Sequence, residues 1–184
     1  MTLTNSSHEY GAVAKWLHWL IGLSIIGMIV MGFYLHSFAP THRYLIIQLH
    51  MSTGITLLML MIVRLIWRQI NVTPAAPLQM PRWQQRLANG THVLLYLIAI
   101  ILPLSGWLMT ASAGYATHWF FLFTLHMPFI AKNPKAAQYY WQVHSLTAWL
   151  ISAVTVAHTL AALKHHFIDR DNVLLRMLPR RRRR

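Results

Sequence analysis

Four long apolar segments run through the sequence, and each is long enough to cross a lipid bilayer. A membrane-spanning helix needs about 20 mostly apolar residues. The candidate spans cover about residues 13–35, 44–66, 87–113 and 139–163. Short polar linkers separate them, including a Pro-rich stretch at 71–81 that is typical of turns. The sequence therefore predicts an all-α integral membrane protein, a four-helix bundle forming one domain over residues 1–184.

The composition excludes a soluble enzyme and argues against a nucleic-acid binder. Only 10% of the residues are charged, against about 25% in ordinary soluble domains. The net charge of +13 would suit a nucleic-acid partner, but the charges lie between the apolar runs instead of covering one soluble face. The expected surroundings are membrane lipid, with no nucleic acid bound.

The distribution of Lys and Arg predicts the orientation of the spans. If both termini share one side, that side has 13 of these residues and the other side has three. Because cytoplasmic loops carry the excess of positive charge, both termini are predicted to be cytoplasmic. The basic run at the end of the chain, Arg180–Arg184, is interpreted as a topology signal with some affinity for anionic lipid.

The absence of cysteine restricts the possible redox chemistry. It excludes iron–sulfur clusters and thioether-linked c-type haem, which need thiolates or a CxxCH run. Twelve histidines accompany three acidic residues. Those three, Glu9, Asp169 and Asp171, lie outside the spans, which disfavours a carboxylate proton relay or an acid-lined cation channel.

Histidines inside the spans are the candidate site residues, because an ionisable group within a membrane is costly and is functional by default. Four of them form two layers by depth. His50 and His144 lie near the outer surface, and His18 and His158 lie at a similar depth from the inner surface. His92 is closer to the inner end of its span and fits neither layer as well.

The spacing on the fourth span supports two stacked sites. His144 and His158 are 14 residues apart, which returns to nearly the same helix face about 21 Å further along. A small residue also follows three of the histidines by four positions, at Gly22, Gly54 and Ala148. Such residues would let a flat macrocycle approach the backbone, although they also aid helix packing in membranes.

Two imidazoles per layer in an apolar bundle are what bis-histidine haem requires. With both axial positions of the iron filled, no site remains for oxygen binding or activation. The chemistry left is electron transfer between the two membrane faces.

The chain resembles the bacterial cytochrome b561 family over nearly its whole length. The resemblance rests on AKWLHWLIG, QLHMSTGITLLMLMIVRLIWR, THVLLYLIAIILPLSG, WQVHSLTAWL and AHTLAALKHHFIDRDNVLLRMLPR. It implies two b-type haems in the bacterial inner membrane. The implied ligands are His18 and His158 for the cytoplasmic haem iron, and His50 and His144 for the periplasmic haem iron.

The resemblance also implies a link to quinone, with superoxide oxidised and ubiquinone reduced. In support, the outer loops carry basic residues and no acid, a surface that would attract a small anion. The basic residues are Arg43, Lys132 and Lys135. One departure from the family pattern is Thr124, where relatives have Gly, and it concerns the shape of the outer loop. The same loop has an aromatic run, Trp119–Phe123, which is expected at the membrane interface.

Two alternative functions remain open at this stage. One is a haem-b membrane anchor that relays electrons between quinone and a partner oxidoreductase, although the short loops leave little docking surface. The other is a histidine-lined metal transporter without haem. No catalytic residue beyond the haem ligands is predicted.

Overall fold

The structure is a computed structural model that describes residues 2–77 and 80–179, so the Arg180–Arg184 run lies outside the described residues. Four long helices dominate it, and all four are long and apolar enough to cross a membrane. The elements in chain order are α1 (Ala12–Tyr34), a 3₁₀ turn (Leu35–Ser37), α2 (Pro40–Ile70), α3 (Arg82–Ala113), β1 (Thr117–Trp119), β2 (Phe123–Leu125), α4 (Pro134–Phe167) and α5 (Val173–Met177). The predicted helical membrane fold is confirmed.

The helix ends follow from local sequence signals. Pro40 and Pro134 each occupy the first helical position, where the missing N–H is no loss. The Asn133 side chain accepts a hydrogen bond from the Ala136 N–H and caps α4. At the end of α3, Gly114 adopts a left-handed φ of 86°, which suits a residue without Cβ. Helices α2, α3 and α4 extend four or more residues beyond the predicted spans at one or both ends.

The bundle core is a small apolar cluster shared by all four long helices. Its buried members are Ile21, Leu57, Met61, Ile98, Ala99 and Ile151. Helix α3 packs along α4, while α2 contacts α1 and α3. Large apolar side chains such as Leu23 and Leu97 remain exposed on the outer faces. Such exposure fits a lipid-facing surface, since lipid tails replace the protein core as their apolar environment.

An antiparallel hairpin covers one end of the bundle, which we call the hairpin end. Strands β1 and β2 pair Thr117 with Leu125 and Trp119 with Phe123. The sequence predicted this aromatic run to be an interfacial loop and did not predict the two short strands. Its tip, including Leu122, is exposed.

Buried polar residues of α2 hold the hairpin in place. Gln48 accepts a hydrogen bond from the His118 N–H at 3.1 Å. The Ser52 hydroxyl accepts from the Phe120 N–H at 2.9 Å and also lies 3.2 Å from the His118 carbonyl oxygen. One turn further, Thr56 accepts from the Trp119 indole N–H at 3.1 Å. These bonds satisfy hairpin backbone groups that would be costly to bury unpaired in a membrane.

The opposite end, which we call the terminal end, is closed by segments from both ends of the chain. The Asn5 amide donates to the Val72 carbonyl at 2.8 Å, which ties the N-terminal segment to the linker after α2. The Trp19 indole N–H donates to the Met177 carbonyl in α5 at 2.8 Å. Both described ends of the chain therefore lie at the same end of the bundle.

Candidate functional site

The four histidines selected by depth form two facing pairs in the structure. At the hairpin end, His50 of α2 and His144 of α4 have ring centroids 6.4 Å apart. At the terminal end, His18 of α1 and His158 of α4 have ring centroids 6.2 Å apart. We call these the hairpin-end pair and the terminal-end pair. Helix α4 contributes one imidazole to each, as its 14-residue spacing predicts.

The backbone of α3 orients the His144 ring. Its Nδ1 atom lies 2.9 Å from the Leu102 carbonyl oxygen, which also accepts a hydrogen bond from the Ser105 hydroxyl. A neutral imidazole that donates through Nδ1 leaves Nε2 free as a metal ligand. Gly106 makes this arrangement possible, because a Cβ there would lie 3.0 Å from His144 ring atoms.

A second glycine lies beside the other ring of the hairpin-end pair. A Cβ built at Gly32 of α1 would lie 3.4 Å from Cε1 of His50. The His50 Nδ1 atom is buried and has no hydrogen-bond partner among the described residues. A buried polar atom without a partner is unusual. No described hydrogen bond from the protein therefore restrains the orientation of the His50 ring.

A cavity of about 240 Å³ lies at the terminal-end pair. Both rings of the pair line it, together with small residues from three helices, Gly22, Ala99 and Ala162. A Cβ at Gly22 would meet nothing within 4 Å, so the space beside His18 is open. Gly22, which follows His18 by one helical turn, therefore borders open volume, as expected from the sequence.

Gly54, which follows His50 by four positions, does not border such an open space. A Cβ at Gly54 would make only ordinary contacts, 3.9 Å from Met28 and 4.0 Å from Pro103. The glycines closest to the hairpin-end rings belong to neighbouring helices, at Gly32 and Gly106. Spacing along one helix could not reveal them, because the close approach is made across helix interfaces.

His92 shares the terminal-end cavity, which differs from the expectation that its depth matched neither layer. Its ring centroid lies 5.7 Å from that of His158. The cause is the true start of α3, which is at Arg82 and not near residue 87. His92 is then ten residues into its helix, and His158 is nine residues from the end of α4. The two side chains therefore reach the same level.

Arginine side chains from α2 also reach this cavity. Arg64 Nη2 lies 3.0 Å from His18 Nδ1, and Arg64 Nε donates to the Tyr96 hydroxyl at 3.1 Å. Arg68 lies over the Tyr96 ring, 5.3 Å from its centroid. From the sequence, Arg64 was counted only among the positive charges that predict the topology. Its position inside the predicted second span, where a charge is costly, was the feature that could have identified it.

Two aromatic side chains with polar groups also line the cavity. Tyr10 lines it from the N-terminal segment, and Trp67 lines it with a buried indole N–H that has no partner among the described residues. Burial raises the pKa of the Tyr10 phenol above its ordinary value of 10, although Arg68 and Arg64 oppose the rise. Tyr10 therefore stays a neutral hydroxyl over the physiological range.

Both pairs fit an iron ion held between two imidazoles. A metal–nitrogen bond of about 2.0 Å on each side, with the distance from each nitrogen to its ring centre added, would place the two imidazole centroids roughly 6 Å apart. The observed separations of 6.2 and 6.4 Å agree with that spacing. The donor set, neutral imidazoles in an apolar bundle, is also the one that b-type haem uses.

The fold and the two pairs define a class of membrane protein, a four-helix bundle with histidines facing each other at two levels. Comparison with known proteins agrees. The family model described as prokaryotic cytochrome b561 matches residues 9–180. The chain belongs to this family, whose members are membrane electron-transfer proteins that bind b-type haem.

Curated relatives match the chain almost from end to end. Cytochrome b561 homolog 2 of Escherichia coli K12 is 33% identical over 97% of this chain and 95% of its own length. Cytochrome b561 homolog 1 of the same organism is 33% identical over 95% of this chain and 99% of its own length. The probable superoxide oxidase CybB of Yersinia pestis is 32% identical, covering 95% of this chain and 98% of its own length.

The three basic residues predicted for the outer surface differ in their surroundings. Lys132 and Lys135 are exposed, near the start of α4. The Lys132 side chain passes over Gly114, where a Cβ would lie 3.1 Å from it. Arg43 is half-buried at the start of α2 and donates to the Phe38 carbonyl at 3.1 Å. All three lie towards the hairpin end, Arg43 and Lys135 in the first turns of α2 and α4 and Lys132 just before α4.

Proposed function

We propose that this protein carries electrons across the bacterial inner membrane through two b haems, oxidising superoxide at the periplasmic face and reducing ubiquinone. His18 and His158 would hold the cytoplasmic haem, and His50 and His144 the periplasmic haem. The hairpin end then faces the periplasm, and both termini are cytoplasmic, as the distribution of positive charge favours.

The observation that carries this proposal is the geometry of the two histidine pairs. Each pair joins two different helices at a ring separation suited to one iron ion. The Leu102 carbonyl holds the His144 ring in a fixed orientation, and Gly22 leaves room beside His18. Bound haem would supply a reversible one-electron carrier at each level.

The superoxide half of the proposal is supported by the charge of the hairpin end and by the name of one relative. Arg43, Lys132 and Lys135 are accompanied by no acidic residue in the outer segments of the sequence. A positive surface raises the encounter rate of a small anion. Each superoxide would give up one electron and leave as O₂, and one ubiquinone would take up two electrons and two protons.

The test combines a visible spectrum with a reaction. The purified protein is expected to show the bands of bis-histidine haem and a haem-to-chain ratio of two by pyridine haemochrome. Superoxide is expected to reduce the oxidised protein, and ubiquinol should form when ubiquinone is present. A spectrum without haem bands would favour the metal transporter. Two haems with no reduction by superoxide would favour the anchor of a partner oxidoreductase.

A further inference from the structure

The two histidine pairs differ in the charge that lies beside them. At the terminal-end pair, the Arg64 guanidinium approaches His18 Nδ1 at 3.0 Å. At the hairpin-end pair, His144 Nδ1 instead contacts the neutral Leu102 carbonyl at 2.9 Å. Among the described residues, no hydrogen bond of His50 or His144 involves Lys or Arg. A fixed positive charge therefore lies beside one pair, since arginine stays protonated in proteins.

The position of this charge is fixed by its neighbours. The Tyr96 hydroxyl accepts from Arg64 Nε at 3.1 Å, and the guanidinium carbon lies 5.6 Å from the Tyr96 ring centroid. In the described part of the chain, Asp169 and Asp171 form their ion pairs with Lys164 and His165, and Arg64 forms none. No ion pair between Arg64 and a carboxylate is found in the described part of the chain.

We propose that Arg64 makes the haem of the terminal-end pair the higher-potential haem of the two. This inference rests on the proposed function, because it requires a haem at each pair. It assigns Arg64 the role of a positioning residue. With His18 bound to iron through Nε2 and protonated at Nδ1, the guanidinium would not bond to the ring, and its charge, held beside the ring by Tyr96, would act on the iron.

The first reason is electrostatic. Reduction lowers the positive charge on the iron, so a nearby cation favours the reduced state. The effect of a charge at short range is larger in the bundle interior than in water, because the effective dielectric constant is lower. No described hydrogen bond brings a cation to the hairpin-end rings, so the reduced state there receives less of this stabilisation.

The second reason is the hydrogen bonding of the ligand ring. A neutral imidazole that binds iron through Nε2 carries its proton on Nδ1, and a carbonyl that accepts this proton makes the ring a more basic ligand. Leu102 provides such a carbonyl for His144. Arg64 has donors only, so it cannot do the same for His18. The more basic ligand favours oxidised iron, which lowers the potential of the hairpin-end haem.

Both effects favour electron movement in the same direction. An electron that enters at the hairpin end would move to the terminal-end haem without an external driving force. The difference in midpoint potential would keep the hairpin-end haem oxidised and ready to accept the next electron. The electron would then reside mainly on the terminal-end haem, close to the cavity beside Arg64 and Tyr96.

The experiment is potentiometry of the purified two-haem protein, followed by its visible spectrum. Arg64→Gln and Arg64→Met both remove the charge and differ in polarity. Each is expected to lower one of the two midpoint potentials by about 59 mV or more. A shift of that size corresponds to a tenfold change in the equilibrium constant of a one-electron reduction. The same measurement on the double variant Arg64→Gln, His144→Ala identifies the haem that shifts. His144→Ala is expected to leave the terminal-end haem as the only haem bound. Arg86→Gln, at an exposed arginine of α3, is the matched control and should change neither potential.

Each result bears on the proposal. Unchanged potentials, or a rise in the affected one, would overturn it. Loss of haem from both neutral variants would also overturn it, because Arg64 would then be needed for binding and not for setting the potential. A parent protein with no haem would instead contradict the proposed function itself.

Discussion

His144 of α4 lies against Gly106 of α3 so closely that a methyl group at that glycine would be 3.0 Å from two atoms of the imidazole ring. The same turn of α3 supplies the Leu102 carbonyl that contacts His144 Nδ1. One short segment of backbone thus fixes both the distance and the rotation of a candidate haem ligand.

Gly106→Ala should therefore disturb the hairpin-end haem. The added methyl group must displace the His144 ring, and forcing atoms into a packed interior costs about 1–3 kcal/mol. We expect the haem content to fall from two per chain towards one, measured by pyridine haemochrome.

Gly90→Ala is the matched control on the same helix. A Cβ there meets nothing within 4 Å, and alanine is favoured over glycine within a helix by about 0.5–1 kcal/mol. Its haem content should equal that of the parent. Two haems with an unchanged spectrum in Gly106→Ala would show that the His144 ring can move freely.

Substituting the ligands one at a time should separate the two haems. His50→Ala or His144→Ala is expected to remove the hairpin-end haem and to leave the other largely in place, because the two pairs share no histidine. His92→Ala should retain two haems, since under the proposed assignment His18 and His158 would already provide both protein ligands of the terminal-end haem. If all four single ligand variants kept two haems, the assignment of ligands would be wrong.

Topology can be tested with fused reporters. A periplasm-active reporter placed after Arg184 should be silent, and one inserted near Lys132 should be active, because positively charged segments remain in the cytoplasm. Expression of both fusions is checked by immunoblot. The reverse pattern would exchange the two faces and would place the hairpin in the cytoplasm.

Charge reversal should test electrostatic attraction of superoxide. Changing Arg43, Lys132 and Lys135 together to Glu is expected to slow haem reduction by superoxide in stopped-flow measurements. The difference from the parent should shrink with salt, because the Debye length falls from about 10 Å at 0.1 M to about 3 Å at 1 M. Haem content is the internal control, since none of the three residues lies in a histidine pair. Equal rates of haem reduction in the parent and the triple variant at low salt would contradict the hypothesis that these charges attract superoxide.

The sequence was sufficient to predict the four long helices and to predict which histidines of different helices would face each other. A bilayer demands long apolar runs, so the four helices could be recognised from length alone. It also penalises polar groups at depth, so histidines at matching depths on different spans were expected to meet. The pairing of His50 with His144 needed no other information.

Features that depend on how one helix meets another could not be predicted in this way. The contact of Gly106 with His144 crosses an interface between α3 and α4. The level of His92 was misjudged because α3 begins earlier than its apolar run. The hairpin was missed because its strands have three residues each and are held by side chains about 70 positions away in sequence.

That last arrangement has a consequence for how the protein is made. Gln48 and Ser52 enter the membrane with α2, but the backbone groups that they bind belong to His118 and Phe120. During synthesis, the Ser52 hydroxyl can donate to the Gln48 carbonyl within α2, but the Gln48 side-chain oxygen gains its described partner only when α3 and the hairpin have followed. Assembly of the hairpin end is then a late event in biogenesis.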